Sequence, residues 1–173
     1  MEAIIIEDKL EAIFAYLPAM TYTIGGTTFN PVFRYGDQKE LNVFIKSYES
    51  ESQTPYPLIW LLYPSKEMHH KNKVQLEDLT LILIVNTNDK MLNKERLDTT
   101  YRKVLLPLYE NIFSAFQKAV NVNLLETIEV TKFPNYGDTE SNSDSSFTVD
   151  LWDALKTVWK IEITRACLKT IKI

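Results

Sequence analysis

Several things are scarce in this chain, and each shortage closes a class of explanation. It holds one cysteine, Cys167, in 173 residues, so no intrachain disulfide can form and an oxidising compartment is not indicated. No histidine lies near it in sequence, and the thiol reads as a small apolar residue in a strand, not as a reactive group. There are two histidines, the adjacent His69 and His70. Neighbouring residues of an extended loop point to opposite sides, and no second ligand group at zinc spacing exists, so a solvated loop tip explains them before a metal site or a general base does. Gly25-Gly26 holds two of the four glycines. Neither a further glycine nor Gly-Lys-Ser/Thr follows, which leaves a turn or bulge in place of a phosphate loop. Apolar runs such as residues 79–85 fall far short of the roughly 20 residues of a membrane helix. The first ten residues carry Glu2, Glu7 and Asp8 where a signal peptide has a basic start, so folding in a cytoplasm is expected. Positive charge is not in excess. A net charge of −4 and a pI near 5.3 argue against condensation of the whole chain onto nucleic acid or anionic lipid.

What is present is ordinary globular material, with 45% hydrophobic, 24% charged and 12% aromatic residues. Residues 1–173 are expected to form a single domain. Its organising stretch is residues 98–120. Tyr101, Val104, Leu105, Leu108, Ile112, Phe113, Phe116, Ala119 and Val120 recur at steps of three and four, the stripe of an amphipathic helix. Lys103, Glu110, Asn111, Gln117 and Lys118 fall between them, toward solvent. Pro107 lies inside the pattern, removes a backbone donor and clashes with the preceding turn, so a kink or two abutting helices are expected. Helical spacing also joins Ile6, Leu10, Ile13, Phe14 and Leu17 into a short N-terminal helix closed by Pro18.

Strand character fills most of the rest. Residues 21–29 read as a strand interrupted at the two glycines, followed by strands at 31–35 and 41–48. In the last of these Leu41, Val43 and Ile45 alternate with Asn42, Phe44 and Lys46, and residues 36–40 read as a polar turn between the two. Residues 58–63 are apolar on both faces and belong inside a sheet, paired with residues 76–85. Residues 128–133 are a further strand, 134–138 a turn, 149–156 a turn or short helical segment, and 157–168 a terminal strand with Trp159, Ile161, Ile163 and Arg165 on one side. The expected fold is α+β, a mostly antiparallel sheet of about four to six strands packed against one long kinked helix and a short N-terminal helix.

Two polar connections, about residues 64–74 and 138–149, are expected to project. The first holds His69 and His70 beside Lys66, Lys71 and Lys73, and the three lysines form a small basic patch that reads as a solvated loop or as a docking element. The second follows Tyr136 and holds Asp138, Glu140, Asp144 and Phe147. Its run of Ser, Asp, Glu and Asn cannot bury enough surface to order itself alone. Asp138, Glu140, Asp144 and Asp150 lack the spacing and central glycine of an EF-hand. Trp60, Trp152 and Trp159 are not spaced as a base-stacking platform. No catalytic, cofactor or metal set emerges, and these ten loop residues stand as partner-interface candidates.

In its order of elements the chain resembles the tail-terminator and tail-completion (head–tail joining) proteins of tailed bacteriophages. The likeness rests on the N-terminal helix, the Pro-Leu-Ile-Trp-Leu-Leu run at 57–62, the apolar strand at 79–85 ending in Asn86-Thr-Asn, and Leu97-Asp-Thr-Thr-Tyr-Arg-Lys-Val-Leu-Leu-Pro-Leu-Tyr109 opening the long helix. A loop and a closing strand complete it. The resemblance implies a non-enzymatic, homo-oligomeric ring subunit of the virion neck or tail, assembled in the host cytoplasm. Such a ring touches connector, neck or tail-tube proteins and surrounds a channel through which DNA passes unread, with no cofactor and no membrane. Negative charge suits such a channel, because a basic lining would hold the DNA. The alternatives are a small cytoplasmic enzyme or ligand-binding domain with a pocket between sheet and helix, or a monomeric assembly adaptor.

Overall fold

The computed structural model describes residues 4–21, 28–50, 56–87, 90–125, 128–136 and 152–164. Two long strands form its spine, β6 (Lys73–Asn86) and β9 (Trp152–Thr164), antiparallel along nearly their whole length. A register shift between Leu76 and Leu79 adds one residue to β6, a bulge that keeps apolar side chains on one face on both sides of it. The outer side of β6 is shared end to end by β4 (Leu58–Leu62) and β5 (Glu67–His69), and the outer side of β9 by β7 (Val122–Leu124) and β8 (Glu129–Tyr136). The last strand, β3 (Val32–Gly36), lies parallel to β4 and completes a seven-stranded sheet whose other pairs are all antiparallel. A separate two-stranded ladder joins β1 (Met20–Thr21) to β2 (Thr28–Phe29). The fold is α+β, and its longest helical run passes from Asn93 to Lys118.

One face of the sheet carries the main core. Ile59, Leu61, Leu79, Leu81, Leu83, Leu155 and Trp159 pack there against Ile6, Leu10 and Phe14 of α1 (Ile6–Phe14) and against Tyr101, Val104, Leu105, Leu108, Ile112 and Phe116 of the long helix. The stripe read from the sequence is therefore the side turned to the core, with Phe113 half-buried, except that Ala119 and Val120 lie beyond the helix and Val120 is exposed. The expected break at Pro107 takes the form of a change of winding. After the single turn α3 (Asn93–Arg96), residues Leu97–Leu105 wind as a π-helix, and α4 (Leu106–Lys118) resumes ordinary geometry with Pro107 in its first turn. Leu106 donates five residues back, to the Tyr101 carbonyl. The wider turn relieves the contact that the proline ring would make with the carbonyl four residues before it.

The opposite face holds a smaller core and one clear correction. Residues 41–48 are not a strand: they lie in α2 (Gln38–Ser50), which crosses from β3 to the parallel β4. Leu41 and Ile45, four apart, are fully buried against Leu58, Trp60, Ile82 and Ile84, while Val43, which alternation would bury beside them, is 61% exposed. The residues read as a polar turn start this helix. The Asp37 carboxylate accepts from the Glu40 N–H (2.8 Å), and the Glu40 carboxylate accepts from the Asp37 N–H (2.9 Å), a reciprocal cap that overrides the β preference of the following residues. Gly36 precedes it at φ +153, and its carbonyl accepts from the Trp60 indole (3.0 Å) and the Tyr63 N–H (2.9 Å). Asp37→Ala is expected to lower stability by about 1 kcal/mol and to loosen α2 before the sheet, seen as faster amide exchange in residues 38–41 at unchanged exchange in β6.

Other boundaries move as well. The 64–74 connection is not an open loop, because β5 pairs with the start of β6 and only a short turn remains between them. Met68 faces Gln75 across this hairpin, and Val74 and Leu76 are fully buried. The turn expected at 134–138 is occupied up to Tyr136 by β8, with a register shift after Phe133, and the 149–156 segment belongs from Trp152 onward to β9. Residues 137–151, with the projecting loop expected there, and Arg165 and Cys167 lie outside the described residues.

Candidate functional site

The residues singled out in the sequence fall at two ends of the sheet. His69, His70, Lys71 and Lys73 occupy the β5–β6 hairpin, with Lys66 just before it. His69 Nε2 lies 2.8 Å from Glu67 Oε2 on an exposed surface. His70 donates its backbone N–H to the Lys73 carbonyl (2.8 Å) and closes the turn. Lys73 Nζ reaches Glu162 Oε2 on β9 at 2.6 Å, and that hydrogen bond holds the Glu162 carboxyl below the usual glutamate range. A parallel contact of 2.8 Å between Lys160 and Glu77 does the same for Glu77. The hairpin lysine is thus spent on the sheet's own polar face. Among the described residues, no three or more His, Cys, Asp or Glu side chains gather as metal donors.

Tyr136 sits at the other end, beside Trp152, roughly 40 Å along the spine from the hairpin at the usual rise per residue. Its hydroxyl donates to Gln38 Oε1 (2.7 Å), and its ring stands edge-on to Phe133 at 5.7 Å, so it ties the end of β8 to the start of α2. Asp138, Glu140, Asp144 and Phe147 lie outside the described residues. The structure brings the hairpin residues together and separates them from Tyr136.

A polar cluster absent from the sequence reading lies on the helix face near that second end. Arg96 and Asp153 are 2% and fully buried, and Arg96 Nη1 meets Asp153 Oδ1 at 2.7 Å. The same nitrogen donates to Thr87 Oγ1 (3.0 Å), and Arg96 Nε donates to the Met91 carbonyl (2.9 Å). Thr100 supplies its hydroxyl to Asp153 Oδ2 at 2.5 Å and contacts the Arg96 carbonyl at 2.8 Å. Both carboxylate oxygens and several guanidinium donors are therefore satisfied, which makes the cluster a clamp between β9 and the start of the π segment. Tyr101 lies alongside. Burial first, and then the Asp153 charge, push its phenol well above the ordinary tyrosine range, so it stays neutral. The sequence does carry a signal for this cluster: Asp153 stands between Trp152 and Ala154-Leu155 in what proves to be a buried strand, a place where a carboxylate requires a partner.

Beside α2 lies a cleft of about 680 Å³, shallow and open to solvent. Arg34 and Tyr35 of β3 line one wall, and Lys39, Val43, Phe44 and Ser47 of α2 the other. Arg34 lies 5.9 Å over the Phe44 ring, and its Nη1 donates to the Phe33 carbonyl at 2.7 Å. Tyr35 is 51% exposed. The outer side of β3 has no strand partner among the described residues, and the outer side of β8 has none either. Among these residues each side of the sheet therefore ends in two strands, β3 and β5 on one side and β7 and β8 on the other. Among the described residues no helix is long and apolar enough to cross a membrane. Neither a family model, nor a curated protein, nor a solved structure matches the chain.

Proposed function

We propose that this chain is a non-enzymatic, ring-forming subunit of a phage neck or tail, a tail-terminator or head–tail joining protein whose copies surround a channel for passing DNA. The observation that supports it beyond the resemblance in residue order is the open-ended sheet. Four strands, β3 and β5 on one side and β7 and β8 on the other, leave one side unpaired among the described residues, and β3 and β8 are the longest on their sides. Strand edges of this kind are templates for further pairing. Different edges at opposite ends of one molecule join copies head to tail, and head-to-tail contacts close into rings when the rotation between neighbours permits. A net charge of −4 suits a wall past which DNA must slide.

Native mass spectrometry of the purified chain, paired with negative-stain microscopy, tests this reading. Discrete ring-sized assemblies or stacked tubes are the expected result. A strict monomer at high micromolar concentration overturns it. The cleft between β3 and α2 favours a second reading, a ligand-binding domain, for which the same spectra would show a retained small molecule on a monomer.

A further inference from the structure

We propose that the outer edge of β3 receives β8 of a second copy of this chain, that Arg34 guards this edge, and that Glu129 of the incoming strand releases it. The proposal rests on the ring reading and specifies its contact.

The ladder itself fixes which groups are available. Val32 donates its N–H to the Pro57 carbonyl (3.0 Å), so Val32, Arg34 and Gly36 turn their peptide groups toward β4, and Phe33 and Tyr35 turn theirs outward. Carried through the pairs Trp60 with Ile82, Leu81 with Thr157 and Lys156 with Thr131, the same alternation points the Val130 and Lys132 peptide groups away from β9. Direction follows in the same way. β3 runs with β4, and three successive antiparallel pairings lead from β4 to β8, so β8 runs opposite to β3. A copy shifted along the sheet without inversion therefore offers β8 antiparallel to β3.

Set Arg34 opposite Glu129 in that pairing, and Phe33 meets Val130 as a hydrogen-bonded pair, outward groups on both sides. The side chains also fall on matching faces. Arg34 lies over Phe44 of α2. Glu129 stands four residues before Phe133 and so shares its face of β8, and Phe133 packs into the core on the α2 side of the sheet. Val130, 41% exposed in the single chain, would be covered. A two-fold pairing of β3 with another β3 that matches Phe33 to Tyr35 sets Arg34 against Arg34, which like charge disfavours. Charge thus selects the head-to-tail partner.

In the single chain Arg34 occupies the Phe33 carbonyl, an outward acceptor of the edge. A carboxylate is a stronger partner for a guanidinium than a neutral carbonyl is. Glu129 of the next copy would draw Arg34 away and leave the Phe33 oxygen to the Val130 N–H. Until then the charged side chain protects the edge against unselective pairing.

Charge exchange in the full-length chain tests the seam. Arg34→Glu and Glu129→Arg are each expected to lower the assembled fraction roughly tenfold or more at a fixed protein concentration, and the double exchange to restore it, with far-UV circular dichroism unchanged. In the wild type, exchange of the Phe33 and Val130 amides should slow when the protein is concentrated into its assemblies. Slowed exchange at both positions supports the seam even where the double exchange fails to rescue. Assemblies that ignore both single changes and leave those two amides unprotected overturn the seam and leave the ring reading standing. A wild-type chain that never assembles overturns both.

Discussion

Arg96→Ala should lower the stability of the folded chain by about 3–5 kcal/mol, the usual cost of removing one member of a buried ion pair. The reason lies in what would remain. Asp153 is fully buried and Arg96 is 2% exposed, so water cannot take over the lost contacts, and the carboxylate would keep only the Thr100 hydroxyl. Arg96→Lys should fall between, since a single ammonium cannot serve Asp153, Thr87 and the Met91 carbonyl in the fork geometry that the guanidinium uses. Arg96→Met combined with Asp153→Leu should recover most of the loss, because an apolar pair of similar volume incurs no desolvation cost for charge. Urea unfolding of the wild type, Arg96→Met, Asp153→Leu and the double variant closes the double-mutant cycle. Single replacements that each cost less than about 1 kcal/mol would mean that the pair is solvated and does not clamp β9 to the helix.

The helix face of the fold was legible because its signal is redundant. Ile6, Leu10 and Phe14 on one helix, and Val104, Leu108, Ile112 and Phe116 on another, repeat the helical period over several turns, and all are buried. The β9 alternation of Trp159, Ile161 and Ile163 with Lys160 and Glu162 held for the same reason. Residues 38–50 misled because short patterns are ambiguous: Leu41, Val43 and Ile45 satisfy a strand, and Leu41 with Ile45 satisfies a helix. The deciding information was the Asp37 to Glu40 cap, present in the sequence and read as a turn. The hairpin differed from the expected loop because its buried residue Val74 stands between the polar Lys73 and Gln75, so a polar composition concealed the start of a strand period.

The Arg96–Asp153 clamp and the outer edges were harder to read for another reason. Arg96 and Asp153 are 57 residues apart, and nothing local specifies that they meet. Which strand lies outermost depends on pairings between distant segments, so the sequence could nominate His69, Lys71 and their neighbours by composition but not Arg34 or Glu129 by position. The interface candidates read from composition sit on a hairpin that the sheet partly claims through Lys73 and Glu162. The edges emerge only when the whole strand order is known.

Trp159→Ala is expected to cost about 3–5 kcal/mol as well, through packing in this case and not charge. The indole is fully buried at the centre of the helix face, 5.1 Å from the Phe116 ring, 5.6 Å from Tyr109 and 6.4 Å from Phe113. Phe116 in turn lies 5.7 Å from Phe14 of α1, so a cavity at this point loosens both helices from the sheet. Its Nε1 donates to Thr157 Oγ1 (2.7 Å), and that hydroxyl lies 3.2 Å from the Leu81 carbonyl. Trp159→Phe separates the two contributions. It keeps most of the ring packing but deprives the Thr157 oxygen of its donor, a cost of about 1–3 kcal/mol, so the difference between the two variants measures the cavity. Trp60 and Trp152 remain as fluorescent probes of urea unfolding in both. Because β6 and β9 carry every other strand of the main sheet either directly or through β4, the loss should appear as a uniform rise in amide exchange from β3 to β8, and assembly should weaken only as far as the folded population falls. A Trp159→Ala chain that stays as stable as the wild type, or one whose outer strands alone exchange faster, would show that the sheet is not held from this centre.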